Sequence, residues 1–296
     1  MQPVNSITIF QVDSFTHEPF KGNPAGVCIT ETALDEPTMQ NIAAEMNLSE
    51  TAFVVPITAG KLVDAYKFKL RWFTPTTEVD LCGHATLASA KVLYDIYELK
   101  HDKLTFDTKS GDLIVSHWEE MIQLDFPAGD PQPVELPHYF FHALNLHERG
   151  LDSLFQESFQ CQRTKILLLR FTESRAVREI APNFSDLLQA EDSFKCKGVI
   201  ITAPGKDPYD FISRFFAPSL GINEDPVTGA AHTILTPYWS MMLKKKKMSA
   251  FQASKRGGVL QVELKNDPKG FRHRVLIAGE AVIMLQGVIR INGNEE

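Results

Sequence analysis

The chain has 296 residues, enough for about two domains and for a core that needs no disulfide or metal staple. Thirty Lys and Arg against 37 Asp and Glu leave a net charge of −7, which argues against nucleic acid or an anionic membrane as the main partner, since both demand a basic face. Hydrophobic residues make up 44% and charged residues 23%, far from the disordered range, and no apolar run approaches the ~20 residues of a membrane helix.

Met1–Phe15 alternates apolar and polar residues and has no basic region followed by an apolar block, so it reads as a strand and not as a secretory signal. Within it, Ser6–Ser14 has the pattern of a half-buried strand, and Ala25–Thr30 follows as another after the turn Gly22-Asn23-Pro24. Asp35-Glu36-Pro37 supplies an N-cap and a first-turn proline for a helix over Thr38–Met46, which Asn47 ends. Thr51–Ile57 and Tyr66–Phe73 are strands, the second with Tyr66, Phe68, Leu70 and Trp72 on one face. His84–Tyr94, small and apolar, is a largely buried helix. Leu104–Phe126 supplies strands broken at Ser110-Gly111-Asp112.

The prolines of Gly129–Pro137 mark a linker and divide the chain into lobes 1–128 and 129–296, with the last strand free to return to the first lobe. Beyond it come helices over Tyr139–Leu146, Arg175–Gln189 and Gly229–Leu243, strands over Lys165–Phe171, Gly198–Thr202 and Phe211–Phe216, and a strand-rich end over Gly258–Ile291. Lys244–Lys247 reads as a solvated C-terminal turn that complements the helix dipole. The four cysteines, Cys28, Cys82, Cys161 and Cys196, show no paired spacing, as expected of a reduced cytoplasmic protein and not of a disulfide framework or a zinc site.

The chain also resembles itself. Arg71-Trp72-Phe73-Thr74-Pro75 reappears as Arg214-Phe215-Phe216-Ala217-Pro218, and each copy is followed by an acid, a glycine and a small-residue helix. Duplication predicts two similar lobes whose glycine-started helices turn their N-termini into a shared cleft, where unpaired N–H groups would hold a small carboxylate.

Several residues near these helix starts have chemical potential. Glu50 stands where a helix turns into an apolar strand; partial desolvation there suits a carboxyl to shuttle a proton, while an exposed turn acid is the plainer alternative. His84 follows Gly83 at a helix start, where the dipole favours a neutral ring; a satisfied core histidine is its alternative. Asp225 lies at the equivalent point of the other copy, where simple N-capping is the alternative. Cys82, at a helix mouth where a thiol pKa can fall, is a candidate base or nucleophile, and its mirror position in Ala230-Ala231 has no thiol. His232, inside the second helix, reads as a packing residue. No Walker loop, GxGxxG, GxSxG or metal cluster stands out, and Cys82-x-His84 alone is too weak for zinc.

At these same residues the chain resembles the PhzF-like isomerase family of phenazine biosynthesis. DSFTHEPFKGNPAGV (13–27), MNLSETAFV (46–54), LRWFTPTTEVDLCGHATLASA (70–90), RFFAPSLGINEDPVTGAAH (214–232) and FQASKRGG (251–258) carry the resemblance. It implies an α+β, diaminopimelate-epimerase-like fold of two pseudo-symmetric lobes, each with a sheet or barrel wrapped around a central helix and the active site between them. It implies a homodimer and an isomerase that moves a proton on a small carboxylic acid with no metal or coenzyme. Carried over, Glu50 is the general acid/base, His84 and Asp225 orient the substrate and assist, and Gly83 and Gly229 donate backbone N–H groups beside Cys82, Thr228 and Ala230. The family often has serine where this chain has Ala230, so the phenazine enzyme's substrate does not transfer. A Cys82-dependent racemase and a binding or scaffold protein whose catalysis has lapsed are the alternatives.

Overall fold

The computed structural model describes residues 6–57, 62–266 and 273–291. Residues 1–5 of the alternating start and 267–272 of the strand-rich end lie outside the described residues. The chain divides into two compact units, Met1–Asp125 with Ala278–Glu296, and Phe126–Ile277.

The first unit contains β1 (Ser6–Ser14), β2 (Asn23–Ile29), α1 (Glu36–Met46), β3 (Glu50–Pro56), β4 (Lys67–Phe73), β5 (Glu78–Val79), α2 (Gly83–Asp95), β6 (Lys103–Thr108), β7 (Gly111–Trp118) and most of β8 (Met121–Pro127). The second contains β9 (Pro131–Pro133), α3 (Tyr139–Ala143), β10 (Phe155–Cys161), β11 (Ile166–Phe171), α4 (Ser174–Glu179), α5 (Phe184–Phe194), β12 (Val199–Pro204), β13 (Phe211–Ala217), β14 (Ile222–Asp225), α6 (Gly229–Leu243), β15 (Lys247–Gln252), β16 (Gly258–Asn266) and most of β17 (His273–Gly279). The last strand, β18 (Ala281–Arg290), belongs with the first unit and pairs antiparallel with β1 from Ser6↔Arg290 to Ser14↔Ala281.

The repeat seen in the sequence extends to the strand pairing. In the first unit β1–β2 is antiparallel, β2–β3 parallel, β3–β4 antiparallel, β4–β6 parallel and β6–β7 antiparallel. In the second, β10–β11, β11–β12, β12–β13, β13–β15 and β15–β16 follow the same order of senses. In each, a short strand hairpins back on its neighbour, β5 on β4 and β14 on β13, and leads into a buried helix, α2 or α6.

One side-chain tie is repeated as well. Arg71 Nε and Nη2 each donate to Glu78 at 2.7 Å, and Arg214 Nε and Nη2 donate to Glu224 at 2.6 and 2.9 Å. Each guanidinium also lies over the aromatic ring two residues on, 5.1 Å from Phe73 and 4.8 Å from Phe216. A bidentate fork of this kind fixes direction as well as distance. Arg71, with help from Lys109, holds the Glu78 carboxyl down at about 2.

Alternation along the strands assigns their faces. In the second unit Val199, Ile201 and Ala203 of β12 pack with α3, α4 and α5, while Thr202 turns the other way and accepts a bond from Trp239 Nε1 of α6 at 3.0 Å. In the first, Ile7, Ile9, Phe53 and Phe73 pack against Met39, Ile42 and Ala43 of α1. Such buried side chains stabilise by roughly 1.5–3 kcal/mol each relative to exposure.

Four sequence expectations need correction. Gly129–Pro137 is not a linker: the boundary between units falls before it, β9 pairs with β10, and Gly129 N–H donates to Thr233 O at 2.9 Å. That carbonyl is available because Pro237, four residues on in α6, has no N–H to offer it. Arg175–Gln189 is two helices, α4 and α5, because Pro182 cannot continue the first. Tyr139–Leu146 shortens to Tyr139–Ala143. Tyr66 lies outside β4 and is exposed, unlike Phe68, Leu70 and Trp72. All four cysteines are free and buried. Among the described residues no helix is long and apolar enough to cross a membrane.

Candidate active site

In the first unit, chain reversal at the end of α1 sets the position of Glu50. Asn47 adopts the left-handed conformation (φ 49°) and stops the helix, and Glu50 opens β3 three residues later. The β4–β5 hairpin, tied by Arg71 and Glu78, delivers Cys82 as the N-cap of α2 and His84 as its second residue. Glu50 Oε2 and His84 Nε2 are then 3.2 Å apart, with the side chains only 14% and 6% exposed. Both atoms are buried and lack a well-aligned hydrogen bond in this state, so the contact is an ion-pair approach.

The other edge of the imidazole is also engaged. Asn23 Nδ2 lies 3.2 Å from His84 Nδ1, Cys82 Sγ lies 3.5 Å from it, and Ser14 Oγ donates to the His84 carbonyl at 2.8 Å. Nε2 thus faces Glu50, and Nδ1 faces Cys82 and Asn23, so both ring nitrogens stand beside polar atoms. Asn23 and Ser14 flank the loop between β1 and β2 and are fully buried.

The charges differ from what the sequence led us to expect. Burial opposes the imidazolium, but the Cys82 sulfur and the Glu50 carboxylate outweigh it, and the His84 pKa stands well above the ordinary value. The helix dipole alone would have kept the ring neutral. The Cys82 thiol does not become acidic at the helix mouth. Burial first, and Glu50 second, push it up to about 11, so near neutrality it is an uncharged thiol and Glu50 is the counter-charge for His84.

Glu50, Cys82 and His84 bring a carboxylate oxygen, a sulfur and a ring nitrogen within 4.8 Å of one another, close enough to be considered for a metal ion. The sulfur and the carboxylate approach opposite ring nitrogens, however, and a single ion can use only one of them.

In the second unit β14 ends at Asp225, and Thr228 is the N-cap of α6, with Gly229 and Ala230 its first residues. Thr228 Oγ1 donates to Asp225 Oδ2 at 2.5 Å, and Gln252 contacts both residues. Neither Cys82 nor Thr228 caps its helix with its side chain, which leaves the first N–H groups of α2 and α6 uncapped by them. His232 lies one turn into α6, fully buried, with Nδ1–H donating to Thr228 O at 2.8 Å; burial pulls its pKa down to about 4, so it packs as a neutral ring.

Glu50, Cys82, Gly83 and His84 are therefore brought together in the first unit, and Asp225, Thr228, Gly229 and Ala230 in the second. Sequence reasoning missed Asn23, Ser14 and Gln252. Asn23 was visible only as a turn residue, because its partner lies 61 positions away.

Comparison with known proteins places the chain among relatives of similar length and fold. The profile of the phenazine biosynthesis-like protein family, PhzC-PhzF, matches residues 12–287. A Halalkalibacterium halodurans protein named an uncharacterized isomerase is 44% identical over 282 residues, covering 94% of this chain and 96% of its own. Mouse phenazine biosynthesis-like domain-containing protein 1 is 43% identical over 293 residues, covering 96% and 99%. The crystal structure of a PhzF-family protein from Enterococcus faecalis superposes with a TM-score of 0.84 at 41% identity, covering 97% of this chain and 100% of that one. A hydroxyproline epimerase from Agrobacterium vitis, 10% identical over 99% of this chain and 95% of its own, still gives a TM-score of 0.58 and shows that the α+β fold is epimerase-like. By sequence match and by structure, the chain belongs to the phenazine biosynthesis-like PhzC-PhzF family.

Proposed function

We propose that the protein is a cofactor-independent isomerase that moves a proton on a small carboxylic acid, with Glu50 as the general acid/base. The observation that carries the reading is the buried 3.2 Å approach of Glu50 to His84 Nε2. Glu50, as the carboxylate, accepts a proton from an acidic C–H of the substrate and returns it to a different carbon, so net charge and oxidation state are unchanged. His84, protonated, supplies the compensating charge beside it, with its ring held between Glu50 on one edge and Cys82 and Asn23 on the other. Gly83 N–H, at a helix start that Cys82 does not cap, donates to the substrate's carboxylate. Asp225, Thr228, Gly229 and Ala230 bind the substrate as the repeat-related set, and Ala230, which has no hydroxyl, shapes its choice. A homodimer in the cytoplasm is the setting that goes with this reading.

A thiol-based racemase is less well supported. Cys82 is pushed up to about 11, and the loop Glu224–Gly229 contains no second cysteine. The test begins with a panel of small mono- and dicarboxylic acids, scored by the rise in melting temperature that a ligand of the native state produces. Acids that bind are then incubated with enzyme in D2O and followed by proton NMR. The expected result is deuterium incorporation at carbon with the native protein and none with Glu50→Gln, assayed at a temperature where circular dichroism shows the variant folded. Exchange at the native rate in Glu50→Gln would remove Glu50 from its role, and a protein that binds acids without exchanging any would be a binding protein on this fold.

A further inference from the structure

The FQASKRGG segment (251–258) has no part in the chemistry above, yet it grips the turn that carries Asp225. Gln252 Nε2 donates to Asp225 O at 2.8 Å, Ser254 Oγ donates to Pro226 O at 2.7 Å, and Thr228 N–H donates to Gln252 Oε1 at 2.9 Å. The segment is itself anchored by Ala253 N–H on Ser213 O at 2.7 Å. We propose that Gln252 is a positioning residue: it orients the Thr228 hydroxyl and thereby holds Asp225 as a hydrogen-bond acceptor facing the substrate. The proposal rests on the reading that Asp225 binds substrate.

The direction of every proton in this cluster follows from the backbone. Gln252, the last residue of β15, is completely buried. Its oxygen faces a backbone N–H, which can only donate, and its nitrogen faces a backbone carbonyl, which can only accept, so the amide has a single admissible orientation. The same nitrogen lies 3.1 Å from Thr228 Oγ1 and has no lone pair to offer, so the hydroxyl accepts there. A hydroxyl has one proton, and the remaining short contact is to Asp225 Oδ2 at 2.5 Å. Asp225 Oδ2 is therefore the acceptor at the end of a one-way chain that starts at a buried amide. This also accounts for Thr228 standing at the N-cap of α6 without capping it: the hydroxyl that would cap is turned to Asp225.

The test reads the Asp225 carboxyl directly, by carbon NMR titration of full-length protein labelled at the aspartate carboxyl carbon, with the signal assigned from its loss in Asp225→Asn. Thr228→Val keeps the shape and leaves the bonds from Gln252 to the backbone in place, yet removes the donor to Asp225. The expected result is that Asp225 binds its proton about tenfold more tightly, as loss of a charge-assisted bond predicts. Gln252→Met produces the same direction of change, the double variant moves no further than Thr228→Val, and Thr228→Ser restores the native midpoint. An unchanged midpoint in Thr228→Val overturns the proposal, whether or not Gln252→Met folds. A midpoint unchanged in a folded Gln252→Met whose melting temperature has dropped would make Gln252 a stability residue only. No substrate enters the measurement, so its outcome is independent of the Glu50→Gln exchange experiment.

Discussion

Glu50→Gln reverses the sign of the His84 shift. In the native protein burial penalises the imidazolium, and the neighbouring sulfur and carboxylate overcome that penalty. At 3.2 Å, and with an effective dielectric of ~20, Coulomb's law gives an attraction of about 5 kcal/mol between His84 and Glu50. In the glutamine variant that attraction vanishes. Cys82, pushed up to about 11, supplies no charge near neutrality, so burial is opposed only by the sulfur's hydrogen-bond contact with Nδ1. His84 should then titrate below the ordinary imidazole value instead of above it, as read by carbon NMR of histidine-labelled protein. Stability should follow with opposite slopes in urea unfolding at stepped pH. In the native protein the contribution of His84 is full below the unfolded imidazole value near 6.5 and is lost as pH rises through the higher folded value. In Glu50→Gln it is full above that value and is lost as pH falls toward the depressed one. A His84 midpoint that stays raised in the variant would refute the coupling and leave the sulfur as the partner, which Cys82→Ala would then expose.

Two further outcomes follow from packing and charge. Gly129→Ala places a Cβ 2.8 Å from Ile234 Cγ1 and 3.2 Å from Ile234 Cα, against a stiff β-branched residue and its backbone, so it should cost about 1–3 kcal/mol in denaturant unfolding. Adding Pro237→Ala should recover part of the loss, because the restored helix N–H satisfies Thr233 O, and a Gly129→Ala midpoint equal to native would contradict the packing. Cys82, with its pKa near 11, should be alkylated by iodoacetamide at neutral pH far more slowly than an ordinary cysteine, which carries about 300 times more thiolate; rapid labelling of the folded protein, located by mass spectrometry, would revive the thiol mechanism.

Much of this architecture can be read from local pattern. Ser6–Ser14 and Gly229–Leu243 have the ends in the structure that alternation and helical periodicity assign them. The Arg71 and Arg214 segments do form equivalent hairpins. What escaped is what depends on distant partners. β10, with the sequence FQESFQC, lacks alternation and is a strand because β11 and β9 supply its ladder. Gln252 looks like a stray polar residue in an apolar strand until Asp225 and Thr228, 27 and 24 residues earlier, fold against it. Pro182 lies inside Arg175–Gln189 and divides it, because proline has no N–H to continue the first helix and disfavours helical backbone before it. At Cys82 the helix-mouth rule failed because desolvation exceeds the dipole where no solvent remains.

The twin arginine–glutamate forks separate support from tip. Both use the same donor and acceptor atoms, yet the residues just beyond them have parted company, Cys82-Gly83-His84 after one and Thr228-Gly229-Ala230 after the other. A doubled gene that keeps its hinge pins can vary a few side chains at each fingertip without reworking the frame. A designer seeking new reactions on this frame can therefore begin with the side chains at the starts of α2 and α6 and leave both forks untouched.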